Sequence, residues 1–386
     1  MLYRQYGKTK EQVSILGFGC MRLPVMDGDA TKIDEKQAIP MIRQAIDAGV
    51  NYIDTAYPYH GTGMQNGGAS EPFVAKVLKD GYREKVKLAT KLPSWLIKTR
   101  ADMDRYLDEQ LQRLETDYID FYLVHSLGSH TWSALTKIGI ADFLDQAKKD
   151  GKIKHVGFSF HDRIGLFKEI VDYYDWEFCQ IQYNYLDEDY QAGTEGLHYA
   201  ASKGLGIAIM EPLRGGKLAN LPNQALDLLK ESGTQRTPAQ WALRWVWNHP
   251  EVSVVLSGMS TMEQVTENLE TANEGLPNSL TTTELAALNK VNALFKERMK
   301  VNCTACAYCM PCPSGVNIPG CFSLYNDYSV FGEGEASKAR YQFLYGFRIG
   351  EAAQANRCVE CGKCEDHCPQ GIAIRKELKA VEAVLR

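Results

Sequence analysis

Near its C-terminal end this chain carries "CTACAYCMPCP", four cysteines set two residues apart from Cys303 and closed by proline. From Cys358, "CVECGKCEDHCP" repeats the device with a last gap of three. Thiolates at such intervals can wrap a metal centre in one tight turn. The candidate ligands are Cys303, Cys306, Cys309, Cys312, Cys358, Cys361, Cys364 and Cys368. Far upstream, "DTAYPYHG", "LATKLP" and "FYLVHS" supply Asp54, Tyr59, Lys91 and His125. A phenol titrates too high to trade protons at neutral pH, and a neighbouring ammonium favours its phenolate. Lys91 can be that ammonium, Asp54 can hold and balance it, and His125 can orient a carbonyl. Singly, a loop tyrosine or a histidine after a strand is most often structural. Together the four make an acid-base set.

Such a set needs elements that bring it together. Eight short apolar runs recur between residues 15 and 258: "ILGFG", "NYID", "KLATK", "DFYLVH", "HVGFS", "CQIQY", "GIAIME" and "SVVLS". Helical patterns lie between them, such as "AIPMIRQAIDAG", with apolar residues three and four apart and a closing glycine. In "TPAQWALRWVW", Thr237 can cap, Pro238 suits the first turn and Gln240 completes a capping box. Eight strand-helix units over this length predict an α/β fold, a closed (β/α)8 TIM barrel, with its functional residues at the C-terminal ends of the strands. A hairpin, "LYRQYGKTKEQVS", precedes the barrel and is expected to plug its floor. The expected organisation is a barrel over 1–275, a bridging helix over 276–299 and a small, mainly helical iron-sulfur domain over 300–386.

Nine of the 11 cysteines lie beyond residue 300, clustered rather than dispersed as disulfide partners would be. A cubane [4Fe-4S] cluster takes four thiolates, and in two-cluster ferredoxins a C-x2-C-x2-C-x3-C-P run sends its last cysteine to the other cluster. The second run has that spacing and the first is one residue short. Crossed ligation would give one cluster to Cys303, Cys306, Cys309 and Cys368, and the other to Cys358, Cys361, Cys364 and Cys312. Zinc competes for the same thiolates, although zinc ribbons do not call for third and fourth cysteines at this spacing with a trailing proline. Cys321 is expected to be buried, and Cys20 and Cys179 to act as small apolar residues of the barrel.

Over nearly the whole of residues 1–275 the sequence resembles the aldo/keto reductase family. The resemblance is carried by "LGFGCMRLP", "DTAYPYHG", "ATKLP", "DFYLVH", "PLRGG", "TPAQWAL" and "EQVTENL". It implies that Asp54, Tyr59, Lys91 and His125 occupy the catalytic tetrad positions, with Tyr59 protonating a carbonyl oxygen as a hydride arrives from NAD(H) or NADP(H). It further implies a cofactor-binding set of Gly19, Ser159, Gln180, Met210, Arg214, Ser257, Gly258 and Asn268, with Lys217 a further candidate for the pyrophosphate. Three positions depart from the pattern: Phe160 replaces the usual Asn, Met210 the aromatic that stacks on nicotinamide, and Thr261 the Arg that grips a 2'-phosphate. NADP preference is therefore unsupported. With its cysteine runs the chain resembles the branch of this family that carries a C-terminal two-[4Fe-4S] ferredoxin-like domain.

Clusters move single electrons and nicotinamide moves pairs, so wiring the two centres together calls for a flavin, an external partner such as a ferredoxin-like carrier, or one-electron substrate chemistry. The expected function is reduction of a small carbonyl compound, or oxidation of an alcohol, at the barrel mouth. The alternatives are a flavin-dependent oxidoreductase, an electron-transfer or redox-sensing protein using the barrel as scaffold, and clusters that merely staple the tail. The net charge of −5 and the absence of a long basic block argue against nucleic acid. No apolar run approaches the roughly 18 residues of a membrane span, and the N-terminus lacks a signal-peptide core. A cytoplasmic location is expected.

Overall fold

The computed structural model describes residues 1–386 except 130, 304, 306–308, 333, 345–351 and 369, so Cys306 lies outside the described residues. The chain forms two compact units. The first comprises Met1–Glu188, Ala192–Gly215 and Ala239–Leu280; the second comprises Asp189–Gln191, Gly216–Pro238 and Thr281–Arg386.

In the first unit, β1 (Tyr3–Gln5) and β2 (Gln12–Ser14) pair antiparallel as the expected hairpin. Eight parallel strands then close a barrel: β3 (Leu16–Gly19), β4 (Tyr52–Asp54), β5 (Lys87–Leu92), β6 (Ile119–Leu127), β7 (Ile153–Phe160), β8 (Phe178–Gln182), β9 (Gly206–Met210) and β10 (Val254–Ser257), with β10 back on β3. Every strand falls on one of the eight apolar runs. They are buried on both faces, which is why they read as continuous apolar stretches rather than alternating ones. The hairpin stops the floor with Tyr6, which is fully buried with its ring 5.0–5.7 Å from those of Tyr52, Phe121 and Phe178. Gly7 makes this possible, since a Cβ there would fall 2.0 Å from the amide nitrogen of Gly206.

The second unit holds Gly216–Pro238, most of the segment between β9 and the helix Pro238–Trp247, together with Asp189–Gln191 and everything after Leu280. The helix Thr282–Arg298, in the second unit, starts with a capping box of Thr281 and Glu284. Arg236 reaches Glu284 at 2.5 Å and Arg298 reaches Gln224 at 2.6 Å, tying the inserted segment to that helix. The helices Ile318–Phe331 and Gly334–Gln342 occupy part of the stretch between the cysteine runs. The last helix, Ile374–Leu385, buries Ile374, Leu378, Val381 and Leu385 along one stripe, against a core that includes Val316, Phe322 and Tyr341. No helix among the described residues is long and apolar enough to cross a membrane.

Candidate active site and thiolate centre

The acid-base residues meet at the C-terminal ends of adjacent strands. Asp54 ends β4, Lys91 is the penultimate residue of β5, His125 sits in β6, and Tyr59 lies in the turn after β4. Lys91 Nζ donates to Asp54 Oδ1 at 2.6 Å and to the carbonyl of Thr55 at 2.7 Å, with both charged side chains buried. It stands 5.0 Å from the centre of the Tyr59 ring, and the rings of Tyr59 and His125 are 6.2 Å apart. Beyond His125 the indole of Trp95 follows at 5.1 Å, its N–H donated to the carbonyl of Met64.

Burial pushes the Asp54 carboxyl up, and the Lys91 ammonium pulls it back. Burial also works against the charge on Lys91, but Asp54 and Tyr59 more than offset it and hold the ammonium protonated. The Tyr59 phenol is pushed up by burial and drawn down by Lys91. His125 is kept neutral, first by burial, then by Lys91 and by His161, a neighbour that sequence reasoning did not single out. Its Nδ1 is buried with no hydrogen-bond partner among the described residues. A register shift in β6 between Val124 and Leu127 turns the strand here, with Ser126 at φ +51°. His60, Glu211 and Arg214, in the loops after β4 and β9, also adopt positive φ. Such conformations persist only where the surroundings over-determine them.

Of the expected cofactor contacts, Ser159, Gln180, Met210 and Ser257 lie on β7, β8, β9 and β10. Ser159 Oγ accepts the amide of Ser126 at 2.7 Å, and Gln180 Nε2 donates to the thioether of Met210 at 3.3 Å. Gln180 Oε1 is buried without a partner among the described residues. Phe160 is fully buried with its ring 5.1 Å from Phe167, so no amide stands in that position. Arg214 Nε lies 3.2 Å from Asp187, which partly neutralises it. Lys217, expected near phosphate, is instead buried in an ion pair with Asp327 of the second unit, to which it also belongs. Asn268 donates to Ser257 Oγ at 3.0 Å, and Thr261 caps the helix Met262–Ala272. Gly19 lies beside Ser257, a Cβ there falling 3.4 Å from the Ser257 carbonyl, and Gly258 lies against the side chain of Arg22.

In the second unit Cys303, Cys309, Cys312, Cys358, Cys364 and Cys368 are partly buried and Cys361 is exposed. Cys309, Cys312, Cys358, Cys361 and Cys364 line one cavity of about 220 Å³, with Ile318, His367 and Leu378. Among the described residues no three metal-ligating side chains meet closely enough to hold a single ion; these thiols ring a cavity instead. The thiol of Cys364 is raised by burial, and Cys358 and Cys312 both lie near enough to raise it further. Arg357, just before the second run, donates to the carbonyl of Ser314 at 3.1 Å and to that of Ala352 at 2.7 Å, linking it to the end of the first. Cys321 is buried as expected, its thiol pushed up to about 12 by desolvation.

A closed eight-stranded barrel with a buried Lys-Asp pair under a tyrosine at its mouth has the make-up of an oxidoreductase barrel, followed in the chain by a cysteine-rich module. The chain belongs to the aldo/keto reductase family, whose model matches residues 15–293, and a 4Fe-4S dicluster domain matches residues 302–373. It is similar to the uncharacterized oxidoreductase YrpG of Bacillus subtilis, 29% identical over 70% of this chain and 90% of the relative. It is also similar to the NADH-specific methylglyoxal reductase of Escherichia coli, 26% identical over 70% of this chain and 93% of that protein. Among solved structures, the holo form of aldo-keto reductase AKR11C1 from Bacillus halodurans superposes with a TM-score of 0.63 at 30% identity, covering 75% of this chain and 96% of its own.

Proposed function

We propose that this aldo/keto reductase-type enzyme reduces a small carbonyl compound, or oxidises the corresponding alcohol, with a nicotinamide dinucleotide at the barrel mouth. The observation that carries the reading is the buried Lys91–Asp54 pair at 2.6 Å beside Tyr59. An ammonium there lowers the cost of removing or returning the phenol proton. Tyr59 would protonate the carbonyl oxygen, Lys91 would stabilise the phenolate left behind, and Asp54 would keep Lys91 charged and oriented. Neutral His125 would hold the carbonyl by a hydrogen bond without competing for the proton.

When bound, the nicotinamide supplies the hydride. The orphan Gln180 Oε1 is an acceptor suited to a carboxamide N–H, and Ser159 stands on the neighbouring strand. Gly19, Met210, Arg214, Ser257, Gly258 and Asn268 complete the proposed contacts. The absence of a basic residue from Ser257 to Asn268 favours NADH, in line with the relative named as NADH-specific. Residues 1–275 would form the catalytic domain, 276–299 the bridge and 300–386 the iron-sulfur domain. The eight motif cysteines would hold two [4Fe-4S] clusters, Cys312 joining the second run and Cys368 the first. One observation supports the crossing: Cys312 lies, with Cys358, near enough to Cys364 to act on its thiol, in a cavity that Cys309 also lines. The clusters would exchange electrons with a ferredoxin-like carrier in the cytoplasm.

Titrating the protein with NADH and NADPH while following tryptophan fluorescence tests the cofactor, with NADH expected to bind more tightly. Failure of both to bind would remove the hydride mechanism, and a flavin released on denaturation would redirect it. Tyr59→Phe should lower carbonyl turnover by about 10²–10⁴-fold with dinucleotide affinity unchanged.

A further inference from the structure

Directly behind the tetrad sits a carboxylate that this chemistry does not use. Glu71 is completely buried on the helix Ser70–Val77, and its burial pushes the carboxyl up while Arg113, Thr90 and Gln110 draw it back. An isolated charge in such a place is strongly unfavourable, and an apolar side chain could fill the same volume. What the carboxylate adds is a set of directed bonds. Oε1 accepts Thr90 Oγ1 at 2.7 Å and Gln110 Nε2 at 2.7 Å, while Oε2 accepts Arg113 Nε at 2.8 Å.

Each bond leads to one of the reacting side chains. Thr90 is the neighbour of Lys91 on β5, so where Lys91 points to the mouth, Thr90 points to the helices. Gln110 adds a bond to the Lys91 carbonyl at 3.0 Å. The strand is thereby fixed along its own axis at the residue that matters. Arg113 extends its other arm to the carbonyl of Gly68, at the end of the turn that contains Tyr59. Gly68 is pressed so closely to that turn that a Cβ would fall 2.0 Å from the Tyr59 carbonyl. Ser70, next to Glu71, donates its amide to the same carbonyl at 3.1 Å, and its hydroxyl meets Thr55 Oγ1 at 2.8 Å. Thr55 in turn offers its carbonyl to Lys91 Nζ.

We propose that Glu71 is a positioning residue: one buried carboxylate, clamped by Arg113, ties the strand of Lys91 to the turn of Tyr59 and so sets the separation of the phenol from the ammonium. The proposal rests on the assignment of Tyr59 as proton donor. Glu71→Gln keeps the shape but turns an amide N–H toward Arg113, so the arm to Gly68 is released. Displacements on the scale of an ångström cost about 10²-fold in rate. The expected result is a fall in kcat of about 10- to 100-fold with KM within about threefold.

A readout without substrate or cofactor is the absorbance titration of the Tyr59 phenol, each protein being referenced to its own Tyr59→Phe version. Lys91, Asp54, Cys20 and His125 surround that phenol, and only Lys91 draws its titration down. Loosening the pair should therefore move the midpoint upward. Arg113→Lys leaves a cation beside Glu71 but removes the second arm, and should shift both readouts the same way by less. It also decides the matter if Glu71→Gln does not fold. A folded Glu71→Gln protein with unchanged kcat and midpoint, or one whose only change is a lower melting temperature, overturns the positioning role. If Tyr59→Phe itself retains full turnover, the assignment of Tyr59 has failed and this proposal goes with it. If Tyr59→Phe is inactive while Glu71→Gln and Arg113→Lys match the wild type, Glu71 alone is rejected.

Discussion

At the barrel mouth Lys91 and Asp54 meet with neither side chain more than 4% exposed, whereas in the second unit six of the seven described motif cysteines are only partly buried and Cys361 is exposed. The barrel assembles its charges from strand ends far apart in sequence and satisfies them with one another, so its geometry is complete in the protein alone. The cysteine-rich unit draws its reactive groups from two short runs and rings a cavity with them. Thiolates gathered in this way repel unless a cation lies between them, so metal binding there doubles as folding energy. The two units should therefore fail under different insults. All six tryptophans lie in the first unit, so indole fluorescence follows the barrel while iron-sulfur absorbance follows the other.

The largest effect should come from the metal. Anaerobically purified protein should carry about eight irons per chain, and chelation should melt the second unit while the tryptophan signal stays native. Cys312→Ser should cost about half of the iron. The crossing of ligands is then tested by pairs. Cys312→Ser with Cys364→Ser should lose no more than either alone, since both would serve one cluster, whereas Cys312→Ser with Cys309→Ser should lose nearly all. The opposite pattern would place Cys312 in the cluster of its own run.

Next in size is a buried ion pair that has no part in the barrel's chemistry. Lys217 and Asp327 are each under 10% exposed, and the ring of Phe331 lies 5.6 Å from the ammonium. Lys217→Met leaves Asp327 buried beside an apolar side chain, which should cost about 3 kcal/mol. The loss should appear in the denaturant transition of the second unit, be partly restored by Asp327→Asn, and leave the tryptophan transition in place. Lys91→Met makes the matching change at the barrel mouth, where the expected loss is of turnover first. If Lys217→Met instead abolished dinucleotide binding without altering stability, its expected place at the phosphate would be restored.

These contrasts also show what could be read in advance. The eight strands were legible because a run buried on both faces is apolar throughout, and the dicluster region because closely spaced cysteines mark it within the sequence itself. Asp54, Tyr59, Lys91 and His125 were legible because strand ends must converge in a closed barrel. Partners made by helix packing left no local trace. Glu71 lies 19 residues before Thr90 and 39 before Gln110, and nothing in "GGASEPFVAKV" distinguishes a buried carboxylate from one on a solvated face. The pairing of Arg214 with Asp187, and of Lys217 with Asp327 across 110 residues, was hidden for the same reason. Both lysine and arginine looked available for phosphate because sequence shows a charge and not its counter-ion.

The smallest effect concerns acid. Glu177, on the barrel, accepts His155 Nδ1 at 2.7 Å, Lys148 Nζ at 2.7 Å and the amide of Val156 at 3.0 Å. Burial alone would raise its carboxyl, but these three donors outweigh it and bring the pKa down to about 2 from an ordinary 4.5. A depressed acid stabilises the fold fully above its unfolded value and loses that contribution as pH falls toward the folded one. With partial solvent screening the contribution is about 1–2 kcal/mol at neutral pH. Glu177→Gln should therefore lower the tryptophan-monitored stability by about that amount at neutral pH, and the gap to the wild type should close as pH drops from 4.5 to about 2. A gap that stayed constant through that window would mean that Glu177 contributes packing rather than charge. Iron-sulfur absorbance should fade in the same acid range for both proteins alike, since protonation of thiolate ligands in the second unit does not depend on Glu177.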